Sequence, residues 1–122
     1  MMSEHGNIVI VDDEQDIIDL LSYELQYEGF QVRHANNSVD ALALLRQQAP
    51  DLLLTDVRMP KMDGVELVQK VRGDLGLNMP IIVITGFSEY EEQLSEYEGV
   101  TVVRKPIKVV ALTDLIKKVL PS

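Results

Sequence analysis

The chain has 122 residues, 46% of them hydrophobic, which suffices for one domain with a single core. Its 20 acidic and 11 basic residues give a formal net charge of -9, which argues against direct binding of nucleic acid. The absence of cysteine excludes disulfides, thiolate nucleophiles and cysteine-ligated zinc. No signal-peptide pattern is present, and no stretch approaches the roughly 18 apolar residues of a membrane span, so we expect a cytoplasmic protein without membrane insertion.

Five short segments have the sequence pattern of β-strands. The second in chain order, Phe30 to Ala35, alternates apolar and polar residues and indicates a half-exposed edge strand. The other four are continuously apolar, which is typical of parallel strands covered by helices on both faces. These four are Asn7 to Val11, Asp51 to Thr55, Pro80 to Thr85 and Val100 to Val103.

Each strand is followed by apolar residues at helical spacing. Ser38 is the expected cap of the second helix, and Gly29 and Gly99 follow expected helix ends. The five apolar stripes are Ile17, Ile18, Leu21 and Leu25; Leu42, Leu45 and Ala49; Val65, Val68 and Val71; Tyr90, Leu94 and Tyr97; and Val109, Leu112, Leu115, Ile116 and Val119.

The repeated strand-helix order predicts the fold class. We expect an α/β protein with a doubly wound, five-stranded parallel sheet of order 2-1-3-4-5, the flavodoxin-like (βα)5 topology. Residues 1–122 are expected to form a single domain, with residues 1–6 a frayed terminus. In this topology the ligand site lies at the carboxyl ends of the strands.

Acidic residues follow the first and third strands. Asp12 and Asp13 stand at the end of the first strand and Asp56 at the end of the third. In a shared pocket these carboxylates would repel one another unless one takes up a proton or a cation enters. Carboxylate oxygens suit Mg²⁺. The alternative is that Asp13 caps the first helix, with Glu14 and Asp16 complementing its dipole.

Two further side chains are predicted at the same edge of the sheet. Lys105 follows the last strand, where its ammonium group could balance an acidic cluster or a phosphoryl group. Thr85 ends the fourth strand, although threonine is also an ordinary strand residue. His5 and His34 lack a second ligand at metal spacing, so we assign neither to a site.

The motifs at these strand ends resemble the receiver (phosphoacceptor) domains of two-component response regulators, of the stand-alone chemotaxis type. They are VDDE at Val11 to Glu14, DVRMPKMDG at Asp56 to Gly64, ITG at Ile84 to Gly86, and KP at Lys105 and Pro106. The resemblance implies that Asp56 accepts a phosphoryl group which Thr85 and Lys105 contact, and that the Lys105 to Pro106 peptide is cis. The metal ligands it implies for Mg²⁺ are Asp12, Asp13, Asp56 and the backbone carbonyl of Arg58.

The resemblance also implies partners. A sensor histidine kinase or a histidine phosphotransfer protein would donate the phosphoryl group. The chain would catalyse only its own phosphorylation and dephosphorylation. A downstream target protein or output domain would then engage the face made by the fourth helix, the fifth strand and the fifth helix, and a phosphorylation-dependent dimer is a further expectation.

Three other functions share parts of this pattern. A phosphatase of the haloacid dehalogenase type needs a second aspartate two residues after its nucleophile, where Arg58 stands. A nucleotide- or flavin-binding domain of the same topology needs a glycine-rich loop after the first strand, where DDEQD stands. A pseudo-receiver serving only for protein contacts, without physiological phosphorylation, would not require the intact acidic set and lysine.

The chain departs from the family pattern at Val102, where receivers usually carry an aromatic residue three positions before the lysine. The stretch from Thr85 to Lys105 is also a residue or two shorter than usual. Valine is stiff about its first torsion and too short to exchange an exposed pose for a buried one. We therefore expect the fourth helix, rather than a rotation at Val102, to carry the signal.

Overall fold

The computed structural model describes residues 6–57, 63–86, 91–106 and 108–120. Strands and helices alternate along these ranges. The strands are β1 (Asn7–Val11), β2 (Gln31–Ala35), β3 (Leu52–Asp56), β4 (Ile81–Thr85) and β5 (Val100–Arg104). The helices are α1 (Gln15–Tyr27), α2 (Ser38–Gln47), α3 (Gly64–Arg72), α4 (Glu91–Ser95) and α5 (Val109–Val119). Within the described ranges, no helix is both long and apolar enough to span a membrane.

The five strands form one parallel sheet in the order β2-β1-β3-β4-β5, which confirms the predicted topology. The register aligns the strand ends. Val11 lies opposite both Ala35 and Thr55, and Asp56 lies opposite Ile84. Residues that follow β1, β3 and β4 therefore emerge at the same edge of the sheet.

Two apolar clusters cover the two faces of the sheet. One packs side chains of α2, α3 and α4 against Val9, Leu53 and Val83, and the other packs α1 and α5 against Ile10 and Leu54. The central strands β1, β3 and β4 are almost completely buried. Their continuous apolar runs are explained by this double coverage.

The prediction that β5 is covered on both faces holds in part: Val102 packs against one apolar cluster and Val103 against the other, but neither is fully buried. β5 is an edge strand, with Thr101 exposed and Val102 and Val103 only half-buried. Among the described strands its neighbour is β4 alone, so its other long side is unpaired and its side chains are less covered than those of the central strands. β2, the opposite edge, has the predicted half-exposed character.

The cap and the end of α2 also differ from the prediction. Asn37, not Ser38, is the N-cap residue: its side chain accepts a hydrogen bond from the Asp40 N–H at 2.9 Å. Ser38 is instead the first helical residue and is buried. α2 ends at Gln47, so Ala49 lies beyond the helix and is exposed.

α4 has five residues, of which one is buried. Leu94 is its buried residue, and Tyr97 lies half-buried just after the helix. Tyr90, the third residue of the predicted stripe, lies outside the described residues. An exposed ion pair of 3.3 Å between Glu91 and Arg104 joins the start of α4 to the end of β5. Among the described residues, α4 is thus held to β5 and the core by Leu94, by Tyr97 and by a surface ion pair.

Candidate functional site

The ends of β1 and β3 bring three aspartates together. Carboxylate oxygens of Asp12, Asp13 and Asp56 all lie within 4.8 Å of one another. Asp12 and Asp56 are each 7% exposed, whereas Asp13 is exposed to solvent. The strand-end positions predicted this cluster, and the structure shows that two of its carboxylates are buried and one lies at its rim.

Local hydrogen bonds hold Asp12 in place. Its backbone N–H donates to the carbonyl of Ala35 at 3.2 Å, and its side chain accepts the Glu14 N–H at 2.9 Å. α1 begins at Gln15, and its N-cap residue Glu14 makes no side-chain capping bond. The N-cap residue is therefore Glu14 and not Asp13, so the capping part of the alternative interpretation is wrong, whereas Asp16 does lie in the first turn of α1 as that interpretation expected.

Lys105 lies directly over the phosphoacceptor candidate. Its Nζ donates to Oδ2 of Asp56 at 2.9 Å, and its backbone N–H donates to the carbonyl of Thr85 at 2.8 Å. Thr85 is 1% exposed and follows Ile84, the register partner of Asp56. The Lys105–Pro106 peptide is cis, as expected. The structure therefore brings the Lys105 ammonium group to the acidic cluster and places Thr85 at the end of the neighbouring strand.

The electrostatics of the site are dominated by the buried carboxylates. The pKa of Asp12 is raised from 3.8 to about 6, chiefly by burial; the charges of Asp56 and Asp13 act in the same direction, and the Glu14 N–H and the Lys105 charge act against it. Burial lowers the pKa of Lys105, but its hydrogen bond and attraction to Asp56 outweigh this effect, so the net pKa lies above its ordinary value. Within the described part of the chain, the Lys105 ammonium group is the cation that pairs with this cluster of three carboxylates.

The donor set fits a small, hard cation. Ligands of Mg²⁺ are oxygens at about 2.1 Å from the ion, so opposite ligands stand about 4.2 Å apart. Adjacent ligands stand about 3 Å apart, so the three carboxylate oxygens, now within 4.8 Å of one another, would move closer together around the ion. The raised pKa of Asp12 points the same way, because a cation would relieve the repulsion that favours its protonation. Arg58 lies outside the described residues, so its carbonyl ligand stays a prediction.

An apolar cavity beside the cluster was missed from the sequence. It measures about 350 Å³ and lies between α1 and α5, with Asp12 and Lys105 at one end. Ile17, Leu20 and Val109 are among its apolar walls. The sequence feature that could have indicated this cavity is Leu20, a leucine that lies outside the predicted core stripe of α1 and is exposed in the structure.

The fold and the acidic edge place the chain among flavodoxin-like (βα)5 domains that carry a carboxylate pocket. The model of the family described as response regulator receiver domain matches residues 8–117. The chain belongs to this family, and its function is that of a receiver domain of response regulators.

Individual relatives agree with this assignment. The sequence is 33% identical, over 123 aligned positions, to sporulation initiation phosphotransferase F of Bacillus subtilis, covering 99% of this chain and 97% of that protein. The structure is similar to chemotaxis response regulator CheY4 of Vibrio cholerae, with a TM-score of 0.86, 28% identity, and coverage of 94% and 98%. It is also similar to response regulator TrrA of Thermotoga maritima in complex with Mg²⁺-BeF, with a TM-score of 0.82, 33% identity, and coverage of 93% and 98%. Several other curated relatives are longer, and the chain spans 9% to 38% of their length.

Proposed function

We propose that this receiver domain accepts a phosphoryl group on Asp56 from a histidine kinase or a histidine phosphotransfer protein. The observation that carries the proposal is the buried Asp56 carboxylate, with one oxygen bound by Lys105 at 2.9 Å inside a cluster of three aspartates. A carboxylate oxygen of Asp56 attacks phosphorus, the bond from phosphorus to the donor nitrogen breaks, and the donor keeps the electron pair.

Side chains around Asp56 have distinct roles in this proposal. The Lys105 ammonium group balances negative charge on the transferring phosphoryl oxygens, and the Thr85 hydroxyl contacts the same group after transfer. Asp12, Asp13, Asp56 and the Arg58 carbonyl would hold Mg²⁺. When bound, Mg²⁺ supplies positive charge that makes transfer onto an anionic carboxylate possible. Catalysis is limited to the domain's own phosphorylation and dephosphorylation.

The partners in this proposal follow from the family. The name of the Bacillus relative, a phosphotransferase, and the presence of a sensor histidine kinase among the relatives support a phosphorelay partner. A downstream target or output domain, a phosphorylation-dependent dimer and a cytoplasmic location belong to the proposal as well. That residues 1–122 act as one stand-alone domain also stays a prediction.

The proposal is tested by incubating the protein with acetyl phosphate and Mg²⁺. We expect intact-mass spectrometry to find one added phosphoryl group, and peptide mapping to place it on Asp56. Chelation of Mg²⁺ with EDTA should prevent the reaction, because the acidic cluster would then repel the anionic donor. Recovery of the group on a serine, a histidine or another aspartate would overturn the assignment.

The switch is expected to lie in α4. This helix is short, Leu94 is its buried anchor, and its ion pair with Arg104 is exposed, so its local stability is low. We predict that beryllofluoride with Mg²⁺ changes amide hydrogen exchange mainly between Gly86 and Gly99. Val102→Ala should lower the free energy of unfolding. It should leave the exchange response to beryllofluoride close to that of the wild type. Unchanged exchange in that segment, together with loss of the response in Val102→Ala, would contradict this prediction.

A further inference from the structure

The start of α3 presses against the backbone of the phosphoacceptor. The Gly64 N–H donates to the carbonyl of Val57 at 2.7 Å. A methyl group on Gly64 would lie 2.5 Å from the carbonyl oxygen of Asp56 and 2.8 Å from the Cα of Val57. Both are backbone atoms, which cannot move aside as the end of a flexible side chain can. Any side chain at position 64 would therefore force the start of α3 and the backbone of Asp56 and Val57 apart.

Glycine is required here for close approach rather than for backbone freedom. Gly64 is the first helical residue of α3 and is not among the glycines with positive φ. The helix start is specified separately by Asp63, whose side chain accepts the Glu66 N–H at 2.9 Å. Other residue types are compatible with the first position of a capped helix, so the contact with Asp56 and Val57 is the feature that depends on glycine.

The contact between Gly64 and Asp56 lies at the carboxyl end of β3, where strand pairing ends. Asp56 is the last residue of β3, and Ile84 is its register partner. Beyond it the chain leaves the sheet at Val57, whose carbonyl is bound by the Gly64 N–H. Strand pairing fixes the backbone of Asp56 from one side, and α3 fixes it from the other.

We infer that Gly64 is a positioning residue for phosphoryl transfer. By letting α3 rest on the backbone of Asp56 and Val57, it directs the Asp56 carboxylate toward Lys105 and the other carboxylates. This inference rests on the proposed function. Displacement of a reacting group by about 1 Å can cost about 10²-fold in rate, so a small shift at position 56 is sufficient to impair the reaction.

The test compares Gly64→Ala with Leu67→Ala. Leu67 is a fully buried residue of the same helix, so its truncation weakens α3 packing without placing an atom against Asp56. Labelling by acetyl phosphate and Mg²⁺ is measured at increasing donor concentrations, with the folded fraction measured by circular dichroism. We expect the limiting rate per folded molecule to fall about 10²-fold in Gly64→Ala and to stay near the wild-type value in Leu67→Ala.

A second pair of variants covers the case in which Gly64→Ala does not fold. Asp63→Ala removes the cap and loosens the start of α3, whereas Asp63→Asn keeps a capping oxygen. We expect the limiting rate to fall several-fold in Asp63→Ala and to be restored in Asp63→Asn.

Three results would overturn parts of this account, and they are distinguishable. If wild-type protein is not labelled on Asp56, the proposed function fails and this inference fails with it. If wild-type protein is labelled and the rate in Gly64→Ala only follows its folded fraction, Gly64 is structural and the inference alone fails. If Gly64→Ala does not fold and Asp63→Ala is labelled at the wild-type rate, the inference about Gly64 also fails while the proposed function stands.

Discussion

Asp56→Asn is expected to abolish labelling by acetyl phosphate. The amide keeps the shape of the carboxylate, and its oxygen can still accept the hydrogen bond from Lys105, so the site should stay assembled. The amide is, however, a very poor nucleophile. We expect the labelling rate to fall on the order of 10³-fold or more, to below detection by intact-mass spectrometry.

A matched control lies at the other end of the same strand. Asp51 precedes β3 and accepts the Asn7 N–H at 2.8 Å, far from the carboxyl edge of the sheet. Asp51→Asn removes the same charge and keeps an accepting oxygen, so we expect its labelling to match the wild type. If Asp56→Asn still acquires one phosphoryl group per chain, Asp56 is not the acceptor.

The position of the site could be predicted from the sequence because two signals coincide. Continuous apolar runs identify buried parallel strands, and the polar residue that follows each run must leave the sheet at its carboxyl edge. Asp12, Asp56 and Lys105 were placed together on this basis. The spacing of apolar residues does not indicate what these side chains do. Their roles were inferred from the resemblance of the strand-end motifs to receiver domains.

Other features could not be predicted, for physical reasons. The apolar run of β5 reads like a central strand, yet coverage of its faces depends on the length of α4, which local spacing does not fix. Ser38 and Asn37 are both good capping residues, and the choice depends on which one has extended backbone geometry. The contact of Gly64 with Asp56 depends on how a helix meets a strand end, which spacing along the chain does not encode.

Asp12→Asn is expected to stabilise the metal-free protein at neutral pH. The pKa of Asp12 is raised from 3.8 to about 6 in the folded protein, so the folded state binds this proton more tightly than the unfolded state. Above pH 6 the carboxylate is ionised in both states, and its burial among other charges costs the folded state about 2 to 3 kcal/mol. This cost disappears as the pH falls from about 6 toward 3.8. An asparagine avoids it at every pH and can still accept the Glu14 N–H.

The prediction is checked by urea unfolding in EDTA between pH 7.5 and pH 4. The free energy of unfolding of Asp12→Asn should exceed that of wild type by about 2 to 3 kcal/mol at pH 7.5 and by less than about 1 kcal/mol at pH 4. Asp13→Asn removes an adjacent but exposed charge and should have a smaller effect at pH 7.5. Mg²⁺ should stabilise the wild type but not Asp12→Asn, because a ligand to the folded state is lost. A difference between Asp12→Asn and wild type that does not vary with pH would contradict the account. If the difference does vary as expected, the buried Asp12 carboxylate lowers the stability of the metal-free protein at neutral pH.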